Sequence, residues 1–154
     1  MLLYRICKCT YKNDLSGAGS ALYGGRWNPR GTQMLYTAGS TSLAYLEHLV
    51  HNMHILNTKT VCLSIIEVPD KNLSIQELPN HKLPHDWDEK TYLPMSTQNI
   101  GYQFLQESNS HLLKVPSAIV ANEFNFLLNP LHKNHNNIKI KKIIEPFEID
   151  ERLK

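Results

Sequence analysis

The sequence predicts a single α+β domain, with flanking helices packed on a mixed or antiparallel β-sheet. Three observations lead there. The chain has 154 residues, room for one ordinary core but not for two. Helix-like and strand-like periodicities both occur. They follow one another without strict βαβ alternation and without an internal repeat.

The elements follow in order. Met1 to Cys7 is short and apolar, which predicts an opening strand with Leu3, Arg5 and Cys7 on one face. Asn13 to Gly31 holds five of the seven glycines and reads as a long loop, a segment type that usually carries function in a compact domain. Met34 to Thr37 predicts a second short strand, ending at the Gly39 turn. Ser40 to Ser42 offers N-cap residues, and Leu43, Leu46, Leu49, Val50 and Met53 recur at helical spacing, so a helix is predicted over Thr41 to Met53. Glu47 lies at the edge of that apolar arc and is expected to be partly buried.

Thr60 to Val68 is rich in β-branched residues and predicts a core strand, followed by a weaker one near Leu73 to Ile75. Pro79 to Pro94, with three prolines, reads as loop. Ser96 to Glu107 predicts a second helix with Ile100, Phe104 and Leu105 facing inward. Leu112 to Ala121 is a strand whose Pro116 calls for a sheet edge or a start near the proline. Ile138 to Ile144 alternates isoleucine with Lys139, Lys141 and Lys142, the pattern of a strand with one wet face, and Phe147 to Ile149 closes the series.

Composition bounds the function. With 42% apolar and 19% charged residues the chain is globular, and no segment nears the roughly 18 apolar residues of a membrane span. The first twelve residues lack the apolar core and cleavage site of a secretory signal, so a soluble, cytoplasmic protein is expected. Cys7, Cys9 and Cys62 would leave one thiol over in any pairing and sit in apolar, strand-like segments, so reduced structural thiols are expected. A net charge of +2 is too balanced for a general polyanion-binding surface, and any anion site must be local.

Few residues point to chemistry. Gly24-Gly25-Arg26-Trp27-Asn28-Pro29 places two glycines before a guanidinium, which lets backbone come close to a ligand and offers a planar fork to a diphosphate. Glu47, on the rim of an apolar helix face, could stabilise a developing cation. Spacing alone leaves plainer readings open: a turn arginine, a solvated glutamate, Tyr36 as a core aromatic, and Ser117 as a turn cap outside any nucleophile-elbow setting. His48, His51 and His54 spread over about 120° of a helix with no cysteine or aspartate beside them, and His132 and His135 lie in loop sequence, so no metal site is predicted. The glycine-rich segment matches neither a Gly-x-x-x-x-Gly-Lys-Ser/Thr loop nor a Gly-x-Gly-x-x-Gly turn.

Taken in order, Tyr4-Arg5, Leu15-Ser16-Gly17, Gly24-Gly25-Arg26-Trp27-Asn28, Leu35-Tyr36-Thr37-Ala38, Glu47, Val115-Pro116-Ser117 and Asn125-Phe126-Leu127-Leu128-Asn129-Pro130 resemble the RES domain family, named for its Arg, Glu and Ser. The resemblance spans about residues 3 to 145 and is weakest from Asn57 to Pro94. It implies an ADP-ribosyltransferase-like fold and a toxin of a bacterial toxin–antitoxin pair that depletes NAD⁺ or transfers ADP-ribose to a protein. NAD⁺ would be substrate, with no further cofactor. The partner would be an Xre-like antitoxin that carries any DNA-binding region, in a toxin–antitoxin hetero-oligomer or beside a homo-oligomer.

On that resemblance Arg26, Tyr36, Glu47 and Ser117 form the catalytic set. Glu47 would hold a ribose hydroxyl and face the oxocarbenium-like state. Arg26 would pair with the diphosphate, with Arg5 as a second cationic contact. Tyr36 would stack on or shape the nicotinamide pocket, and Ser117 would position by hydrogen bonding. A reading of another class makes the chain a non-catalytic nucleic-acid module using Lys139, Lys141 and Lys142. It requires salt-dependent binding that weakens when these are neutralised, and it leaves the glycine loop and Glu47 without a role.

Overall fold

In the computed structural model, which describes residues 1–52, 61–71, 73–148 and 150, a seven-stranded sheet runs in the order β4-β5-β6-β2-β1-β3-β7. Its strands are β1 (Leu2–Lys8), β2 (Leu35–Ala38), β3 (Val61–Glu67), β4 (Ile75–Glu77), β5 (Leu112–Pro116), β6 (Phe124–Leu128) and β7 (Lys139–Ile144). All neighbours pair antiparallel except β4 and β5, which are parallel. The sheet is therefore mixed and the single domain α+β, as the irregular order of periodicities predicts.

Strand alternation separates two cores. On one face Leu3, Leu35, Ile66, Leu112, Leu128 and Ile138 are buried, with Leu15 and Leu73 packed against them. On the other face lie the helices α2 (Thr41–Asn52) and α3 (Met95–Glu107). Leu43 and Ala44 of α2 pack with Ala38, Tyr4 and Ile6. Phe104 of α3 packs with Trp27, Leu113, Val115 and Leu127. A shorter helix, α1 (Ala18–Tyr23), lies inside the glycine-rich segment that reads as loop in sequence.

The departures from expectation have physical reasons. The α2 face is narrower than its leucine spacing suggests, since Leu46 and Val50 are exposed while Leu43 and Ala44 are buried; the helix meets the sheet through its first turn, and its later turns border a cleft. Met53 and His54 lie outside the described residues. Pro116 sits not at a sheet edge but at the end of an internal strand. The ladder to β4 stops at Lys114, so no neighbour there needs the N–H that Pro116 lacks. β6 is a strand that apolar patterning did not single out, and Phe147 is not in a strand but packs edge-on against Tyr45.

The expectation of three reduced thiols is overturned. Cys9 falls just beyond the end of β1, its Cα 4.9 Å from that of Cys62, and the two are joined by a disulfide. An odd count excludes a framework but not one bridge. Cys7 keeps its thiol, which burial pushes above its ordinary value.

A second surprise is histidine-rich. His111 and His132 are buried and stack with ring centroids 5.0 Å apart, and His135 meets His111 edge-on. The hydrogen bonds set the tautomers. Leu15 O can only accept, so His135 Nε2 donates to it at 2.9 Å, leaving His135 Nδ1 to accept from His111 Nε2 at 3.2 Å. A neutral His135 is required for this relay, because its Nδ1 accepts. Burial, and then the charges His135 and His132 would carry, push His111 down to about 4. Because the folded value lies below the unfolded one of about 6.5, the neutral cluster contributes fully above that pH, and the contribution is lost as pH falls from about 6.5 to about 4. We predict that the urea midpoint at pH 4.5 is lower than at pH 7, by an amount approaching about 3 kcal/mol in unfolding free energy. The drop should shrink in His111→Phe; an unchanged drop would assign it to carboxylates elsewhere.

Candidate active site

Between α2 and the glycine-rich segment, on the sheet face opposite Leu3, lies a cleft of about 930 Å³. Arg26, Tyr36 and Glu47 all line it, together with Tyr4, His51 and Asn125.

Glu47 comes from the middle of α2 and its side chain is 22% exposed. Its Oε1 accepts from Ser117 Oγ at 3.0 Å and from Asn125 Nδ2 at 2.6 Å. One helical turn on, His51 Nε2 stands 3.6 Å from Oε2. Burial alone would raise the Glu47 carboxyl, but the hydrogen bonds from His51, Asn125 and Ser117 and the charge of His51 outweigh it and hold the group below its ordinary value. The result is an ionised carboxylate with one oxygen fixed from behind and the other beside a histidine.

Ser117 follows the last residue of β5 and is not itself part of the cleft wall. Its hydroxyl donates to Glu47 and accepts N–H bonds from Ile119 at 3.0 Å and Val120 at 3.2 Å. It is a turn cap and a carboxylate support at once. Asn125 reaches the same oxygen because β6 places it opposite Val115 and Ala38, on the cleft face.

Tyr36 organises the glycine segment. Its hydroxyl accepts from Trp27 N at 3.0 Å and donates to Asn28 Oδ1 at 2.7 Å, and Asn28 Nδ2 in turn donates to Ser20 O and Thr32 O. Burial pushes the phenol above its ordinary value, so it stays protonated. Gly25 is needed here, because a Cβ at that position would lie 2.5 Å from Tyr36 Oη.

Arg26 projects from this knot to a segment that is remote in sequence. Its Nη1 donates to Trp87 O at 2.6 Å and its Nη2 to Glu89 O at 2.8 Å. Its own carbonyl accepts from Thr97 Oγ1 at 2.6 Å. The guanidinium thus ties the glycine segment to the 79–94 loop while retaining donors for a ligand. Arg5, also among the residues around the cleft, is engaged elsewhere: its Nη1 donates to Tyr11 O at 3.1 Å and Asp14 O at 2.9 Å, and strand alternation places it with Leu3 and Cys7 rather than with Tyr4 and Ile6.

The structure brings Arg26, Tyr36 and Glu47 to one cleft, sets Ser117 behind Glu47, and adds two residues that sequence reasoning passed over. Asn125 is a strand-averse residue inside the apolar run Phe124-Asn-Phe-Leu-Leu128, which is a readable sign of a special duty. His51 reads as a solvated helix residue, yet its i,i+4 spacing from Glu47 signals the pair.

Sheet, helices and cleft define a small α+β domain with one carboxylate-centred site. The chain belongs to the RES domain family, whose model matches residues 2–150. Among its relatives, "Toxin Res" of Yersinia enterocolitica is 37% identical over 158 aligned positions covering all of both chains. The "Prs ADP-ribosylating toxin" of a Sphingobium species is 41% identical over 140 positions, 87% of this chain and 84% of the relative. In fold, the chain is similar to a solved structure described as the M. tuberculosis MbcT-MbcA toxin-antitoxin complex, with a TM-score of 0.77, 19% identity, and coverage of 94% of this chain and 82% of that one.

Proposed function

We propose that this protein is the toxin of a bacterial toxin–antitoxin pair and that it cleaves the nicotinamide–ribose bond of NAD⁺, with NAD⁺ as substrate and no additional cofactor. The observation that carries the reading is the Glu47 carboxylate, ionised, oriented by Ser117 and Asn125, and set in a cleft that Arg26 also lines. Nicotinamide leaves as a neutral base from a cationic precursor, so the reaction needs stabilisation of ribosyl cation character more than acid assistance. A fixed anion beside that carbon supplies it without reorganising during the reaction. Arg26 binds diphosphate with the donors its loop contacts leave over. Tyr36 shapes the pocket wall, and Ser117 acts on substrate through Glu47.

The proposed partner is an Xre-like antitoxin that covers the cleft; the similar solved structure is itself a toxin-antitoxin complex. The test is nicotinamide release from NAD⁺ by protein freed of any partner, with and without phosphate. No release under either condition defeats the reading. A second reading, transfer of ADP-ribose to a protein, is favoured by the name of the Sphingobium relative. Labelled NAD⁺ in a cell lysate would then give a discrete labelled band, and a lane without one removes it.

Asn125 gives a pH-dependent prediction. Glu47 acts ionised, and its lowered carboxyl keeps activity until pH falls through that value. Removing the Asn125 donor in Asn125→Ala raises the carboxyl toward its ordinary value and moves the acid limb of the rate profile to higher pH. An acid limb unmoved in Asn125→Ala would show that another group sets it.

A further inference from the structure

A dinucleotide diphosphate carries a negative charge on each phosphate, and bringing it into a cleft calls for more than one cation. Arg26 has part of its guanidinium engaged by Trp87 O and Glu89 O. Arg5 is held by Tyr11 O and Asp14 O on the side of the sheet where Leu3 packs. Beyond these two arginines, Lys90 is the lysine that lines the cleft. Among the described residues no carboxylate pairs with its ammonium.

Lys90 is exposed, but its backbone is held. The Glu89 carboxylate folds back on its own turn, where Oε1 accepts from Lys90 N at 2.7 Å, Thr91 N at 2.9 Å and Thr91 Oγ1 at 2.8 Å. Those bonds hold the Glu89 carboxyl below its ordinary value, so the turn stays closed at neutral pH. The carboxylate nearest to Lys90 in sequence is thereby occupied with backbone and hydroxyl donors. Arg26 fixes the same turn from the other side through Glu89 O. The two residues are therefore linked by one main-chain segment, and both line one cleft. Such a pair suits two adjacent phosphates: Arg26 contributes a planar fork, Lys90 a compact charge with three donors.

Resting on the NAD⁺ reading above, we propose that Lys90 is the second cationic contact for the diphosphate, in the place sequence reasoning gives to Arg5. Arg26 then has two duties, to bind phosphate and to hold the turn that offers Lys90. The 79–94 segment, the least readable part of the chain, contributes directly to substrate binding.

The experiment compares Lys90→Gln, Lys90→Arg and Arg5→Gln with the unmodified protein in two assays. Lys90→Gln should raise KM for NAD⁺ about tenfold, the size of one charge-assisted hydrogen bond, with kcat changed less than about twofold. Lys90→Arg should restore most of the affinity. Calorimetric binding of ADP-ribose reads the contact without turnover and should weaken by the same factor in Lys90→Gln. If ADP-ribose binds and Lys90→Gln weakens it while no nicotinamide is released, the contact stands and the proposed reaction fails. If Lys90→Gln binds ADP-ribose as tightly as the unmodified protein, or if Arg5→Gln weakens binding and Lys90→Gln does not, the assignment of Lys90 is overturned. Absence of ADP-ribose binding by the unmodified protein overturns it as well.

Discussion

Glu47→Gln is expected to cut nicotinamide release by roughly 100-fold or more while leaving the melting temperature unchanged. The two outcomes separate because the substitution is nearly isosteric. An amide oxygen can still accept from Ser117 Oγ and Asn125 Nδ2, the bonds that Glu47 Oε1 makes now, so α2 keeps its tie to β6 and to the turn after β5. What disappears is the negative charge that the proposed reaction sets against the ribose. Loss of a preorganised charge at the centre of charge development typically costs a few kcal/mol of transition-state stabilisation, whereas loss of an equivalent surface charge costs almost nothing. A fully active Glu47→Gln protein would mean that the carboxylate only organises the cleft. A variant that is inactive and also melts early would leave the charge and the scaffold unseparated, and Ser117→Ala then distinguishes them, because it removes one supporting bond and keeps the charge.

The largest expected effect on stability is at Gly101, in the middle of α3. In most exposed helix interiors Gly→Ala stabilises by roughly 1 kcal/mol. Here a Cβ would lie 1.8 Å from Trp27 O and 2.8 Å from Trp27 C. The obstacle is backbone, and that backbone cannot yield freely because Trp27 N is bonded to Tyr36 Oη and Arg26 O to Thr97 Oγ1. Overpacking of this kind costs about 3 kcal/mol or more, which overrides the propensity gain and lowers the melting temperature by roughly 6–12 °C for a chain of this size. Scanning calorimetry decides it. A Gly101→Ala protein that melts within a degree of the unmodified one would show that α3 can slide away from the Gly-Arg-Trp segment. Activity should fall with stability, since any retreat of Trp27 carries Arg26 with it.

Much of this architecture is legible in the sequence where burial imposes a period. β1, α2, β3, α3 and β7 appear within one or two residues of where alternation or helical spacing places them. Legibility fails where function or sidedness interrupts the period. α1 is six residues long and contains Gly19, so it has neither the length nor the composition of an independent helix. β6 contains Asn125, whose side chain serves Glu47 rather than the core. Leu46 and Val50 obey helical spacing, yet stay exposed where α2 passes the cleft. Glu47 could be seen on the rim of its helix face, but not which donors would meet it, because Ser117 and Asn125 come from the turn after β5 and from β6, both distant in sequence. The 79–94 segment shows the same limit: nothing in its prolines reveals that its carbonyls are the partners of Arg26.

The separation between Glu47 and its two supports, 70 residues to Ser117 and 78 to Asn125, has a temporal consequence. Chains emerge from the ribosome N-terminus first, and Arg26, Tyr36 and Glu47 are exposed long before β5 and β6 exist. β2 lies between β1 and β6 in the sheet, so until β6 is added it has an unpaired edge and Glu47 has no fixed oxygen. Non-local pairings of this kind form late, after their loop-closure entropy has been overcome. The full support of the Glu47 carboxylate thus cannot form before Asn125 has been made, and a fragment ending before it carries the arginine, the tyrosine and the glutamate without that arrangement.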